Sequence, residues 1–267
     1  MTGQASVARV RDAASVVLLG EPAGAGQAPT VLLLERPAHA SFAPGSLVFP
    51  GGSVDEADRD PAWAALSQLP DDAGFDPRAP LAIRIAGIRE TFEESGILLA
   101  RRDDGAPLTD ADWSGMSEIR HRLRAAGAAI FLSELAGHGL RPDVRALRFC
   151  AHWITPDGLP RRFDTRFFMT VLPPGQTAQA DPLREHVSLQ WADPAGALAS
   201  AEQGLSQLLP PTRALLRQVA LAHSVEEALG RAQEEPIDTI QPALKDVTEE
   251  NFPGLDVSRL DGRPRRD

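Results

Sequence analysis

One stretch of the chain decides its fold: Leu81-Ala-Ile-Arg-Ile-Ala-Gly-Ile-Arg-Glu-Thr-Phe-Glu-Glu-Ser95, which is followed by Gly96. Its apolar residues recur every three or four positions, a spacing typical of a helix that buries one face. At about 100° per residue they form a stripe about 60° wide, made of Leu81, Ile85, Ile88 and Phe92. Glycine is favoured just after a helix end. The stretch therefore predicts a helix over Leu81–Ser95.

Three carboxylates lie on the side of this helix opposite the apolar stripe. Glu90, Glu93 and Glu94 fall within about 100° of one another, and residues spaced three and four apart are neighbours on a helix surface. Like charges this close repel each other unless a cation lies among them. Hard divalent ions such as Mg²⁺ prefer several oxygen ligands, which this face supplies. The alternative interpretation is an amphipathic surface helix with a solvated charged face.

The residues upstream favour the metal interpretation. Gly52-Ser-Val-Asp-Glu-Ala-Asp58 and Arg89-Glu-Thr-Phe-Glu-Glu-Ser-Gly-Ile97 together resemble the Nudix box, glycine-x5-Glu-x7-Arg-Glu-U-x-Glu-Glu-x-Gly-U, where U is an aliphatic residue. Thr91 stands at an aliphatic position, and Asp58 stands where the family has Glu. Thirty residues, instead of seven, separate Asp58 from Arg89. We interpret the surplus as an insertion at about residues 59–80, which is either a surface excursion or, if Trp63 and Leu66 are buried, part of the main core.

The resemblance implies a metal site and a set of catalytic residues. In that family the metal, Mg²⁺ or Mn²⁺, is held by the Gly52 carbonyl with Glu90, Glu93 and Glu94. Arg89 forms an ion pair with the acid at Asp58. The catalytic residues implied are Glu93, Arg89 and a general base on a later loop, for which Glu185 is the candidate. An ordinary loop acid is the alternative interpretation of Glu185. We expect the charge of Glu94 to face solvent and metal, so that its removal leaves the fold intact.

The implied reaction is hydrolysis of a diphosphate bond in a nucleotide-linked substrate. Gly45-Ser-Leu-Val-Phe-Pro-Gly-Gly52 is similar to part of a signature of coenzyme A diphosphatases, for which Arg36 is the nearest arginine. The box insertion and the strand-like sequences after residue 147 are similar to the acyl-coenzyme A branch of the family. We therefore expect coenzyme A or acyl-coenzyme A to be cleaved to 3′,5′-ADP and (acyl) 4′-phosphopantetheine. The candidate phosphate-binding residues are Arg36, Arg161, Arg162 and Arg166, although arginines on strands also commonly form solvated faces.

Two alternatives remain at this point. A different substrate, such as ADP-ribose, NADH or a dinucleotide polyphosphate, would leave the box unchanged. A catalytically silent nucleotide-sensing module is the second alternative, and three intact glutamates argue against it. A thioesterase based on Cys150 is disfavoured, because that residue falls within a predicted strand.

The remaining pattern predicts an α+β fold, a Nudix-like α/β/α sandwich with a mixed central sheet plus extra helices. Apolar, β-branched runs predict strands, and proline or a capping box opens several helices. We expect a flexible arm over residues 1–12, the Nudix hydrolase domain over 13–222, and a C-terminal helix and tail over 223–267. The predicted strands are Ala14–Leu19, Thr30–Glu35, Leu47–Phe49, Leu147–Ile154, Phe163–Leu172 and Val187–Trp191. The predicted helices besides Leu81–Ser95 are Pro61–Leu69, Thr109–Gly127, Ala128–Ala136, Pro194–Gln203 and Pro211–Ala222, with a last one opened by Ser224.

Composition excludes several classes of protein. The 267-residue chain has a net charge of −10, which argues against binding nucleic acid through its phosphates. Its apolar runs are far shorter than the ~20 residues that a membrane span needs. A single cysteine permits no intramolecular disulfide. We expect a cytoplasmic enzyme acting on a small nucleotide, with no nucleic-acid or membrane partner and an oligomeric state left open.

Overall fold

The computed structural model describes residues 9–22, 24, 26–40, 43–70, 73–109, 112, 115–180, 187–234 and 236–248. The strands within these ranges are β1 (Val10–Gly20), β2 (Thr30–Glu35), β3 (Ser46–Val48), β4 (Gly51–Ser53), β5 (Ala100–Arg102), β6 (Leu140–Pro142), β7 (Arg148–Ile154), β8 (Arg162–Val171), β9 (Ser188–Ala192), β10 (Gln207–Leu208) and β11 (Thr239–Ile240). The helices are α1 (Ala62–Leu66), α2 (Leu81–Ser95), α3 (Met116–Ala126), α4 (Phe131–Gly137), α5 (Pro194–Glu202), α6 (Pro210–Ala220) and α7 (Val225–Glu234).

The predicted mixed sheet is present. Its strand order is β10-β3-β2-β1-β8-β7-β11, with β4 paired to β1 and β9 paired to β2. The two central strands, β1 and β8, run parallel over ten residue pairs, from Val10↔Arg162 to Leu19↔Val171. The predicted strands β1 and β2 form an antiparallel hairpin, with Leu19 opposite Val31. Strands β5 and β6 form a separate two-stranded sheet.

Two hydrophobic cores lie on opposite faces of the large sheet, because side chains alternate between its faces along each strand. Val16 and Leu18 of β1 pack toward α2, in the core that contains Ile85 and Phe92. Val17 and Leu19, the intervening residues, belong to the second core. Helices α5, α6 and α7 supply the helical residues of that second core, which include Ala197, Leu216, Val219 and Ala228. This arrangement confirms the predicted α/β/α sandwich.

Helix α2 has the predicted bounds, but it is buried on more than one side. Gly96 ends it in the left-handed conformation, at φ 75°, as the glycine at this position predicts. Small residues let the helix approach the sheet: a Cβ on Gly87 would lie 3.3 Å from Val16 Cγ2. Thr91 is fully buried, and its hydroxyl donates to the Gly87 carbonyl at 2.7 Å. That internal hydrogen bond explains how a threonine occupies an aliphatic position of the motif.

The segment between the two halves of the motif is not a mere surface excursion. Trp63 of α1 is 1% exposed and belongs to the core under α2. Its ring lies 5.6 Å from that of Phe131, and its indole N–H donates to the Ala57 carbonyl. The alternative that Trp63 and Leu66 belong to the main core therefore holds for this part, because a wholly buried indole is part of the domain core.

Elements late in the chain return to the same sheet. Half of the capping box predicted at Ser224 is present before α7: the Ser224 hydroxyl accepts from Glu227 N at 3.1 Å, whereas the Glu227 carboxylate accepts from His223 N at 2.8 Å. Beyond α7, β11 pairs in parallel with β7, and the Thr239 hydroxyl lies 2.8 Å from His152 Nδ1. In the helix predicted from Thr109, the Thr109 N–H donates to Asp112 Oδ2 at 2.7 Å, Asp112 is helical, and α3 follows from Met116; residues 110, 111, 113 and 114 lie outside the described ranges. Among the described helices, none combines the length and apolar character that crossing a bilayer requires.

Candidate active site

The centre of the site is the ion pair between Arg89 and Asp58. Both Asp58 oxygens accept from the guanidinium, from Nε and Nη2, each at 2.9 Å. Both side chains are almost fully buried. Bidentate pairs of this kind fix geometry as well as charge. Because the partners come from α2 and from the loop after β4, the pair joins the two separated halves of the motif, and the predicted ion pair is present.

The loop that carries Asp58 also holds the carboxylate in place. Asp55 N–H donates to Asp58 Oδ2 at 2.8 Å, and the Asp55 side chain accepts from Ala57 N–H. This is a reciprocal capping box around the short 3-10 turn Glu56–Arg59. The shorter acid suffices here because the turn brings residue 58 directly to the guanidinium.

Glu90 and Glu93 share the remaining side of Arg89. Arg89 Nη1 donates to Glu90 Oε1 at 2.8 Å and to Glu93 Oε1 at 3.0 Å. Burial raises the pKa of Glu90 to about 7; the charge of Arg89 opposes this and the neighbouring Glu93 adds to it. Burial alone would lower the pKa of Arg89, yet its hydrogen bond to Asp58 and the charges of Glu90 and Asp58 raise it above its ordinary value. The arginine therefore stays charged.

Two adjacent glycines of β4 lie directly against the glutamates. Gly51 N–H donates to Glu94 Oε2 at 2.8 Å. A Cβ on Gly52 would lie 2.5 Å from Glu90 Cδ, so no other residue fits without moving that carboxylate. Glu94 is only 6% exposed, which corrects the expectation that its charge faces solvent. Strand β4 packs against the acidic side of α2, so the Glu94 carboxylate is covered by the β4 backbone. Glu94 therefore also has a structural role.

The donors of this cluster fit a hard divalent cation. Arg89 contacts three carboxylates, those of Asp58, Glu90 and Glu93, so these four side chains carry a formal charge of −2 when all three acids are ionised. Carboxylate oxygens and the nearby Gly52 carbonyl are the ligands that Mg²⁺ and Mn²⁺ prefer. Within the described ranges, no three acidic, histidine or cysteine side chains already converge on one point. Glu90 and Glu93 face Arg89 instead, and Glu94 faces Gly51.

Sequence reasoning missed two arginines of α3 that contact the C-terminal end of α2. From α3, Arg120 and Arg124 donate their Nε hydrogens to the Glu93 carbonyl, at 2.8 and 3.2 Å. Arg120 also donates to the Gln179 carbonyl at 3.2 Å. Positive charge near a helix C-terminus is favourable. These contacts join residues distant in the sequence, and no motif marks them.

Glu185, the predicted general base, lies outside the described residues. The described chain on either side of it contacts α2 and β2 through backbone hydrogen bonds. Gln179 N–H donates to the Ser95 carbonyl at 2.7 Å, at the end of α2. Val187 N–H donates to the Glu35 carbonyl at 2.8 Å, at the end of β2.

The four arginines predicted to bind substrate do not form one cluster. Arg36 follows β2, where its backbone pairs with Ser46 and Gly45. Arg162 is buried, and its Nε donates to the carbonyls of Thr155 and Pro156. Arg162 Nη2 also pairs with Asp157, at 2.6 Å.

Arg166 is likewise engaged within the protein. It donates to the Arg78 carbonyl at 2.8 Å and forms ion pairs with Asp12 and Asp164, both at 3.0 Å. Only Arg161 of the three arginines at this end of β8 is exposed. Arg162 and Arg166 therefore hold the strand ends, which differs from the expectation that they bind phosphate.

Cys150 is placed as the sequence predicts, within β7. Burial raises the pKa of its thiol above the ordinary value, and the thiol lies 3.3 Å from the Phe167 carbonyl. A neutral, buried thiol is a poor nucleophile.

Comparison with known proteins identifies similar sequences. A family model described as the NUDT19 Nudix domain matches residues 68–217, which include α2 but not Gly52 or Asp58. The human protein named acyl-coenzyme A diphosphatase NUDT19 is 33% identical over 234 residues, covering 72% of this chain and 62% of that protein. The Xenopus laevis protein of the same name is 31% identical over 207 residues, covering 64% and 54%. The chain thus spans little more than half the length of these curated relatives.

A solved structure shares the fold. The NUDIX hydrolase from Alicyclobacillus acidocaldarius superposes with a TM-score of 0.65 at 27% identity, covering 86% of this chain and 99% of that one.

Proposed function

Because the chain belongs to the Nudix family through its match to the NUDT19 Nudix domain, we propose that it hydrolyses a diphosphate bond in a nucleotide substrate with the help of Mg²⁺ or Mn²⁺. The observation that carries this proposal is the charge of the cluster at α2. One buried arginine faces three carboxylates, and burial raises the pKa of Glu90. An acidic cluster of this kind gains stability from a divalent cation.

We assign the metal to the Gly52 carbonyl with Glu90, Glu93 and Glu94. A divalent cation bound there supplies positive charge to the phosphate oxygens and to the attacking water. Arg89 holds the loop of Asp58 against α2 and orients Glu90 and Glu93. Glu93 is the carboxylate we assign to the reacting centre, and Glu185 is the proposed general base. The flanking residues support that second assignment, because Gln179 lies at the end of α2.

Coenzyme A or acyl-coenzyme A is the proposed substrate. The supporting observation is the name acyl-coenzyme A diphosphatase, which relatives at 31–33% identity carry. The expected products are 3′,5′-ADP and 4′-phosphopantetheine or its acyl form, since the bond broken lies within the diphosphate. We expect the thioester to stay intact, because carboxylate-bound Mg²⁺ or Mn²⁺ prefers phosphate oxygens and burial raises the pKa of the Cys150 thiol.

A substrate panel tests this function. The full chain is incubated with Mg²⁺ or Mn²⁺ and with coenzyme A, an acyl-coenzyme A, ADP-ribose or NADH, and products are identified by mass spectrometry. We expect 3′,5′-ADP from the two coenzyme A substrates, abolished in Glu93→Gln and retained in the control Glu202→Gln, which changes an exposed acid of α5. Cleavage of ADP-ribose alone would overturn the substrate. Free thiol released without 3′,5′-ADP would overturn the reaction.

A further inference from the structure

A large cavity opens where β1 and β8 begin, beside the strand that carries Gly52. Its volume is about 890 Å³, and Ser53 forms part of its wall. Five of the lining residues are arginines: Arg9, Arg11, Arg59, Arg161 and Arg162. We call this cavity the arginine cleft. Three carboxylates also line it, so the formal charge of its wall is +2 in a chain whose net charge is −10. The cleft is thus a local reversal of the protein's charge.

The strand register explains how the positive charge is concentrated. Parallel pairing places Val10 opposite Arg162 and Arg11 opposite Phe163. Alternate residues of a strand share one face of a sheet, so Arg9, just before β1, and Arg11 lie on the same side. Both are exposed, and an anion between them would offset two like charges.

Two other arginines of the cleft are held by acidic or carbonyl partners. Arg59 pairs with Asp12 at 2.7 Å, and Arg162 is buried against Thr155 and Pro156. These contacts fix the walls of the cleft. Arg9 and Arg11 are exposed at the start of β1, so these two are the residues that we assign to a ligand.

We propose that the arginine cleft binds a phosphate monoester of the substrate nucleotide, the one that is distant from the cleaved bond. Arginine matches the oxygens of a phosphate dianion with two parallel hydrogen bonds. From Gly52 the chain runs extended to Asp55, which spans roughly 10 Å at ~3.3 Å per residue. That reach is comparable with the length of a nucleoside. The inference rests on the proposed function for the ligand; in coenzyme A this group is the 3′-phosphate.

Binding without turnover tests the cleft. Titration calorimetry in EDTA compares 3′,5′-ADP with 5′-AMP on the full chain. We expect 3′,5′-ADP to bind at least tenfold more tightly. Arg11→Gln should weaken 3′,5′-ADP roughly tenfold, as loss of one charge-assisted contact predicts, and should leave 5′-AMP within about twofold. Arg217→Gln, which changes an exposed arginine of α6, is the matched control and should change neither affinity.

The possible outcomes distinguish a failure of the cleft assignment from a failure of the proposed hydrolysis. Equal affinity of the wild type for the two nucleotides, or no measurable binding of 3′,5′-ADP, overturns the cleft assignment. So does an equal loss of both affinities in Arg11→Gln, since this would place the 5′-phosphate there. If the protein binds 3′,5′-ADP as expected but does not hydrolyse coenzyme A, the cleft assignment stands and the proposed function is overturned. Thermal unfolding of each variant verifies that it is folded.

Discussion

Replacing Asp58 by Asn tests whether the buried ion pair holds the site together. Oδ1 accepts from Arg89 Nε, while Oδ2 accepts from both Arg89 Nη2 and Asp55 N–H. Whichever way an asparagine amide is turned, its NH₂ group therefore meets another donor. Breaking a buried ion pair from one side costs about 3–5 kcal/mol. Because Arg89 keeps Glu90 and Glu93 as partners, we expect the lower end, about 3 kcal/mol.

Thermal and urea unfolding, followed by circular dichroism, measure this loss. A change of about 3 kcal/mol lowers the Tm of a domain of this size by about 6–12 °C. The matched control is Asp143→Asn, which removes the partner of the half-exposed Arg101. Pairs at the surface contribute only about 1 kcal/mol or less. If Asp58→Asn loses no more stability than Asp143→Asn, the reasoning from the buried pair is wrong.

The same substitution should also change the metal requirement. Once Arg89 has lost Asp58, its charge acts on Glu90 and Glu93 alone and competes more strongly with a cation. We expect the Mg²⁺ concentration for half-maximal hydrolysis to rise in Asp58→Asn, and an unchanged Mg²⁺ dependence would refute this role of the pair.

Three further predictions concern single residues of the site and sheet. Glu94→Gln should reduce turnover at least about 100-fold at saturating Mg²⁺ while its amide oxygen still accepts from Gly51; near-wild-type hydrolysis would contradict the metal assignment. Burial raises the pKa of Glu90 to about 7 from its ordinary 4.5, so between pH 4.5 and 7 the folded protein binds a proton that the unfolded chain does not. The free energy of unfolding therefore falls as the pH rises through this range. In EDTA, Glu90→Gln should therefore become progressively more stable than the wild type from about pH 5 to 8 in urea titrations, and a constant difference would contradict this. Cys150→Ala should keep the rate of 3′,5′-ADP release, because its thiol is buried and neutral; a large loss would reopen the thioesterase alternative.

Local periodicity was sufficient to predict α2 and the central strands. The bounds of α2 and β2 are those predicted from spacing, and Gly96 ends the helix as its residue type indicates. The Arg89–Asp58 pair was also accessible, because the resemblance to a known motif connects residues that are 31 positions apart. Local patterns and a motif therefore predicted the helix, the strands and the ion pair around which the site is built.

Contacts between distant residues were not predictable in this way. The bond from Gly51 to Glu94 joins residues 43 apart, and it depends on β4, a strand of three residues that are too small to give an alternating pattern. The burial of Trp63 depends on Phe131, and the engagement of Arg166 depends on Asp12. In each case the partner is fixed by packing of the whole domain rather than by the neighbouring sequence.

The parallel pairing of β1 with β8 has a consequence for how the protein forms on the ribosome. Strand β1 is synthesised well before β8, its longest partner, which follows 152 residues later. At 5–20 residues per second, that partner emerges roughly 8–30 s afterwards. The β1–β2 hairpin can form early. During this interval, however, the edge of β1 that later pairs with β8 has no partner, and the apolar residues Val16–Leu19 stay exposed. Nascent chains of this protein should therefore present a strong binding site for chaperones until residue 171 has left the exit tunnel.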